Sequence, residues 1–160
     1  MKLESIKLEF PEGVNIIIGQ AHFIKSVEDL YEALITSSPK IKFGIAFCEA
    51  SGKALIRHDG NDNELEDLAV REAMKLSAGH IFVIMIRDAY PINILNRIKC
   101  VEEVVNVFAA TANPLQVIIV ENEDGRGVLG VIDGIKSKGI ESKDDIKDRH
   151  EFLRKIGYKK

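Results

Sequence analysis

Ile41-Lys42-Phe43-Gly44-Ile45-Ala46-Phe47 is nearly unbroken in apolar or small side chains. A run of this kind reads as a central strand covered on both faces. It leads straight into Cys48-Glu49-Ala50-Ser51-Gly52, a loop that gathers a thiol, a carboxylate and a hydroxyl. Upstream, Ser26 and Asp29 have the spacing of a capping box, which predicts a helix start, with Val27, Leu30, Tyr31 and Leu34 as its apolar stripe and Pro39 as its limit. Before that helix, Val14 to Ile18 reads as a strand. Ile6, Leu8 and Phe10 alternate with charged residues in an earlier strand, and the turn Pro11-Glu12-Gly13 predicts that the two form a hairpin. Downstream, Ala54 to Arg57 is expected to return as a short strand beside the central one.

The rest of the chain continues the alternation of strands and helices. A helix over about Asp62 to Ser77 places Leu65, Leu68, Ala69, Ala73 and Leu76 on one face, with Gly79 as its stop. His80 to Arg87 is a strongly apolar strand. Pro91 opens a short helix whose Ile92, Leu95 and Ile98 are expected inside, leaving Asn93, Asn96 and Arg97 on another face. Val104 to Ala110 and Leu115 to Val120 are strands joined through Thr111-Ala112-Asn113-Pro114. A tight turn at Glu123-Asp124-Gly125-Arg126-Gly127 precedes a strand over Val128 to Ile132. The last helix opens at Ser142, with Asp145 as capping-box partner, and ends at Gly157. With no linker, repeat or low-complexity segment, the expectation is one compact α/β (mixed α+β) domain over residues 1–160, a mixed β-sheet flanked by about four helices.

Composition narrows the function classes. The 160 residues are 46% apolar, enough for a core without disulfide or metal staples. Lys plus Arg is 22 against 25 for Asp plus Glu, a net charge of −3, which argues against a nucleic-acid-coating surface. Cys48 and Cys100 form no Cys-x-x-Cys pair, so neither a disulfide framework nor a zinc knuckle is expected. The N-terminus has no basic region followed by an apolar run, and no apolar stretch approaches the ~20 residues that cross a bilayer. A cytoplasmic protein follows as the default, with no membrane partner; the many Lys and Glu residues fit a heat-stable protein. The apolar content and short hairpins are compatible with a homo-oligomer.

In sheets flanked by helices, ligands gather at the carboxyl ends of strands. Those ends carry Gln20, His22 and Lys25; Cys48, Glu49 and Ser51; Arg87, Asp88 and Tyr90; Thr111 and Asn113; Glu121 and Arg126. His22 lies in a strand-to-helix loop just before a helix N-terminus, where free N–H groups and the helix dipole favour an anion, and Lys25 adds a positive charge. Such a histidine could accept a phosphoryl group, act as a general base on a hydroxyl, or simply be a loop histidine hydrogen-bonded to backbone. Glu49 is of the type that holds a ribose hydroxyl or a magnesium ion, and Ser51 of the type that bonds a phosphate. Cys48 reads more simply as a buried small hydrophobe. Asn93 and Asn96 have the donors and acceptors to read a purine edge, or else form a solvated face.

Gly125-Arg126-Gly127-Val128-Leu129-Gly130 matches G-x-G-x-x-G, but a strand rather than a helix follows, so it is no dinucleotide fingerprint. Arg126 between glycines can approach a phosphate closely, and a plain hairpin turn is the competing reading. No G-x-x-x-x-G-K-[ST] loop and no metal-ligand spacing occurs. His58, His80 and His150 have no recognisable partner in sequence.

Five blocks taken together carry a resemblance: Gly19-Gln20-Ala21-His22-Phe23-Ile24-Lys25, Phe43 to Gly52, Pro91-Ile92-Asn93-Ile94-Leu95-Asn96, Ala110-Thr111-Ala112-Asn113-Pro114, and Gly125 to Gly134. In order and over essentially the whole chain, down to Leu153-Arg154-Lys155-Ile156-Gly157-Tyr158, the sequence resembles the archaeal and bacterial adenosine-specific kinases. The resemblance implies a compact α/β domain that binds adenosine or AMP in preference to ADP or ATP and carries a stably phosphorylated histidine, which would be His22. On that reading Lys25 and Arg126 neutralise the transferring group, and Glu49, Ser51, Asn93, Asn96 and Asn113 hold the nucleoside. No motif implies the phosphoryl donor. The alternatives are a non-enzymatic adenosine or AMP sensor whose histidine modification is regulatory or adventitious, and an acid–base hydrolase using His22 and Glu49.

Overall fold

A computed structural model describes all 160 residues. The apolar run quoted above forms β3 (Lys42–Cys48), every residue of which after Lys42 is buried. Its side chains alternate large and small. Phe43, Ile45 and Phe47 join one apolar cluster, and Ala46 and Cys48 join a second on the other face of the sheet. Beside β3 run β4 (Ile56–Gly60) and β5 (Ile81–Arg87), then β2 (Asn15–Ala21) and β6 (Val104–Thr111), in the spatial order β4-β3-β5-β2-β6. Every pairing in this five-stranded sheet is antiparallel.

Helices α1 (Ser26–Ile35) and α3 (Pro91–Lys99) cover the large-residue face through Val27, Leu30, Leu34, Ile94 and Ile98. The small-residue face receives α2 (Asn63–Leu76), together with a second antiparallel sheet of β1 (Lys2–Lys7), β7 (Leu115–Glu121) and β8 (Arg126–Asp133) in the order β1-β7-β8. The chain is thus a single mixed α/β domain with four helices, α4 (Lys143–Lys155) being the last, and its strands divide between two sheets.

The expected hairpin between the first two strands does not form. β1 pairs with β7, Ile6 opposite Val117, and β2 lies in the other sheet between β5 and β6. The burial patterns give the physical reason. β2 is buried at six of seven positions and needs cover on both faces, whereas β1 alternates and keeps one face in water. The short strand after β3 begins at Ile56 rather than Ala54, because Ala54 sits at φ +48 and donates its N–H to Ser51 O in a turn.

At the start of α1 the expected capping box is absent. Ser26 is the first helical residue and donates its hydroxyl to Phe23 O, while Asp29 is taken by Lys25. In α3 the inward residues are Ile94 and Ile98, Ile92 is exposed, and the Asn93 side chain accepts from the Tyr90 N–H. By contrast, Asp62 caps α2 through the Leu65 N–H, and Ser142 and Asp145 cap α4 reciprocally as the sequence predicts. No side chain of α4 is buried.

Gly44 is where α2 meets β3 most closely. A Cβ there would lie 2.2 Å from the Glu66 backbone nitrogen and 2.3 Å from its Cα. Helix backbone cannot yield as a side chain can, so Gly44→Ala must push α2 off the sheet, at a cost of about 1–3 kcal/mol or more. At ~2–4 °C per kcal/mol for a chain of this size, the thermal midpoint should fall by several degrees in calorimetry. An unchanged midpoint would contradict this packing.

Candidate active site

β5 is antiparallel to both β2 and β3 and lies between them, so β2 and β3 end at the same edge of the sheet, where β5 begins. His80, the residue before β5, is stitched to both ends. Its N–H donates to Cys48 O at 2.7 Å, and its carbonyl accepts from the Ala21 N–H at 3.0 Å. It adopts φ +63, a left-handed conformation uncommon for a residue with a side chain. His22 follows Ala21 directly and donates its backbone N–H to Glu103 O at 3.0 Å.

These two anchored backbones bring two imidazoles together. His22 Nδ1 and His80 Nδ1 are 3.4 Å apart, and the rings meet edge to face with centroids separated by 4.7 Å. The His80 ring stacks on Phe47 at 6.0 Å, nearly parallel. Its Nε2 lies 3.9 Å from Glu49 Oε1. Glu49 is itself fixed, with Oε2 ion-paired to Arg57 at 3.0 Å and Oε1 accepting from the Ala50 N–H at 3.0 Å and the Ser51 hydroxyl at 3.4 Å. Arg57 also donates to Ile24 O at 2.9 Å, which ties the loop after His22 to β4.

Around this chain of contacts lies a cleft of about 570 Å³, lined by His22, Phe47, Glu49, Ser51, Arg57 and His80, and by the exposed apolar side chains Phe23, Ile24 and Leu55. That volume falls within the range that holds small-molecule ligands, and the mix of apolar lips with a few convergent polar groups is typical of such sites. No group of three or more His, Cys, Asp or Glu is placed to hold a metal ion, and no helix is long and apolar enough to cross a membrane.

Of the residues singled out from sequence, His22, Glu49 and Ser51 come together here. The others do not join them. Lys25 is turned to Asp29, Glu103 (3.4 Å) and Glu102 (3.8 Å), and the bond to Asp29 raises its pKa and lowers that of Asp29. Arg126 bonds Glu121 and donates to the carbonyls of Lys75 and Leu76, both at 3.3 Å, so it fastens β8 to the end of α2. The glycine-rich stretch around it is a hairpin turn, with the Asn122 side chain accepting from the N–H groups of Asp124 and Gly125.

Asn93 caps α3, and Asn96 is exposed on that helix; neither lines the cleft. Asn113 lies past the end of β6, which runs antiparallel to β2, so it sits at the opposite edge, in a separate cavity with Tyr90 and Tyr158. At ~3.3 Å per residue a seven-residue strand spans about 23 Å, too far for Asn113 and His22 of one chain to share a small ligand.

Two members of the cleft escaped the sequence reading. His80 has no partner in sequence because its partners come from the ends of β2 and β3, and only the antiparallel course of β5 puts its first residues at their edge. Arg57 was legible only as the end of a strand; what it binds depends on the β3–β4 register, which sets it opposite Phe47.

Cys48, on the α2 side of the sheet and outside the cleft lining, is 5% exposed and donates weakly to Ala73 O. Burial pushes its thiol up to about 11, whereas Cys100 is exposed. Iodoacetamide at about pH 8 should therefore modify Cys100 alone in the folded protein and reach Cys48 only after denaturation. Equal modification of both, read by peptide mass, would contradict the buried placement.

The sequence model described as adenosine specific kinase matches residues 6–159. Among solved structures, the crystal structure of the PH1918 protein from Pyrococcus horikoshii OT3 is similar, at 51% identity over 99% of this chain and 98% of that one, with a TM-score of 0.96. No curated protein matches the chain. With the family pattern running from β1 to the residues after α4, the chain belongs to the adenosine-specific kinase family.

Proposed function

We propose that this protein binds adenosine or AMP in the cleft at the β2–β3 edge and that His22 carries a phosphoryl group there. The observation that carries this reading is the exposed His22 imidazole at a cleft of nucleoside size, held against a second imidazole by two anchored backbones. Family membership supplies the adenosine; the cleft supplies the means to hold it. Phe23, Ile24 and Leu55 offer apolar surface to a base, and Ser51 with Glu49 offers partners for ribose hydroxyls.

In the transfer step a lone pair of the His22 ring forms the N–P bond as the P–O bond of a phosphoric anhydride or ester donor breaks, and the leaving oxygen keeps its electron pair. Arg57 and Lys53 line the cleft and would bring positive charge to the phosphoryl oxygens, Lys53 as a lining side chain and Arg57 by sharing its present bonds to Glu49 and Ile24 O. Lys25 and Arg126 would need other side-chain rotamers and the loss of their present ion pairs to take that role.

That placement also favours a second reading, a non-enzymatic adenosine or AMP sensor in which phosphorylation of His22 is regulatory. One set of measurements separates the two. Intact-mass spectrometry of freshly purified protein should show one phosphate that mild acid removes and that His22→Gln lacks. Calorimetry should show that His22→Gln keeps its adenosine affinity within about tenfold, since the ring is one contact among several. Incubation of labelled phosphoprotein with adenosine then yields labelled AMP if the protein transfers, and labelled protein unchanged if it senses. An unmodified mass with every phosphate donor tried would overturn the phosphohistidine in both readings.

A further inference from the structure

We propose that His80 is a positioning residue that fixes the tautomer of His22, holding the proton on His22 Nδ1 and leaving the lone pair on Nε2 as the reacting atom. The inference rests on the reading of His22 as the phosphoryl carrier for its meaning, but its test does not depend on phosphorylation.

Glu49 is 14% exposed and receives Arg57, the Ala50 N–H and the Ser51 hydroxyl, so it is held as an oriented carboxylate. His80 Nε2 faces it at 3.9 Å, within ion-pair range and beyond a direct hydrogen bond. A carboxylate on that side favours the His80 tautomer whose N–H points towards it, which places the proton on Nε2. His80 Nδ1 is then an acceptor only. Its neighbour is His22 Nδ1 at 3.4 Å, and for that contact to be a hydrogen bond one of the two nitrogens must donate. With His80 unable to, His22 carries its proton on Nδ1. Its remaining nitrogen, Nε2, has no protein partner within hydrogen-bond distance and keeps its lone pair.

Two features keep the His80 ring in place to do this. The stack on Phe47 limits its rotation, and the left-handed backbone is locked by the bonds to Cys48 O and from the Ala21 N–H. A strained conformation of this kind is retained where the surroundings over-determine it. Here the surroundings aim the imidazole at His22.

The chemical consequence concerns the N–P bond. When Nε2 takes the phosphoryl group, the ring becomes cationic unless Nδ1 gives up its proton, and the cationic ring is the better leaving group. His80 Nδ1 is the base in contact with that proton. Passing it to His80, with Glu49 beside the resulting imidazolium, leaves a neutral phosphoimidazole that persists; returning it makes the phosphoryl group transferable.

The test is a long-range proton–nitrogen NMR correlation on ¹⁵N-histidine-labelled, unphosphorylated protein without nucleoside, at about pH 8, where an ordinary histidine is neutral. The expected result is His22 protonated at Nδ1 and His80 at Nε2. Free histidine prefers the Nε2–H form, so His80→Ala should return His22 towards it, shifting the tautomer ratio by roughly tenfold, as for loss of one hydrogen bond. His80→Asn, which tolerates a positive φ and presents a carbonyl oxygen near the lost Nδ1, should keep the Nδ1–H form. A wild-type His22 protonated at Nε2 would overturn the proposal without any variant, as would an unchanged ratio in a folded His80→Ala protein. Neither result touches whether His22 is phosphorylated, which mass spectrometry decides separately.

Discussion

The His80 peptide unit joins the ends of two strands, donating to Cys48 O and accepting from the Ala21 N–H. Those two hydrogen bonds follow from β5 being inserted antiparallel between β2 and β3, and the arrangement of the cleft depends on them. With β5 in that place, the loop after Ala21 and the loop after Cys48 emerge side by side. His22 and Glu49 are brought to either side of one imidazole. A strand inserted in the other direction would deliver Arg87 and Asp88 to the same edge and leave His22 without its neighbour.

Side-chain size decides which layer covers each face of the sheet. Phe43, Ile45 and Phe47 fill the layer under α1 and α3, while Gly44, Ala46 and Cys48 let α2 approach the opposite face. The second sheet completes cover on that side through Leu115, Val117 and Ile119. The cleft therefore sits at the rim of a closely packed three-layer core, and its polar groups are positioned by backbone that has little freedom to move. Preorganisation of this kind limits the ordering cost of binding a small ligand.

Much of this was legible from the chain alone wherever the signal is local. The apolar run of β3, the stripe of α2 and the Ser142–Asp145 cap of α4 are each read within a few residues, and each is present. Pairing partners are different. β1 carries the right period, but its partner β7 lies more than a hundred residues away, and nothing in Pro11-Glu12-Gly13 says that the turn fails to close a hairpin. The same limit governs the site. His22, Glu49 and Ser51 were found because each follows a strand that ends at one edge, whereas His80 and Arg57 precede or begin strands that arrive there from the other direction. Lys25, Arg126 and Asn93 were credible by type, yet nearby groups claim each of them: Asp29, Glu121 and the N-terminus of α3.

The His22 cleft is not the only cavity with room for a nucleoside. The cavity at the far edge, bounded by Tyr90, Asn113 and Tyr158, contains several of the blocks that carry the family resemblance and lies a strand's length away. The most direct measurement is an amide chemical-shift map of the labelled protein titrated with adenosine. Binding in the His22 cleft should give saturable shifts in the backbone of Phe23 and Ile24, the stretch from Glu49 to Arg57, and His80. Shifts confined to Tyr90–Ile92 and Thr111–Asn113, with the His22 edge unmoved, would contradict it.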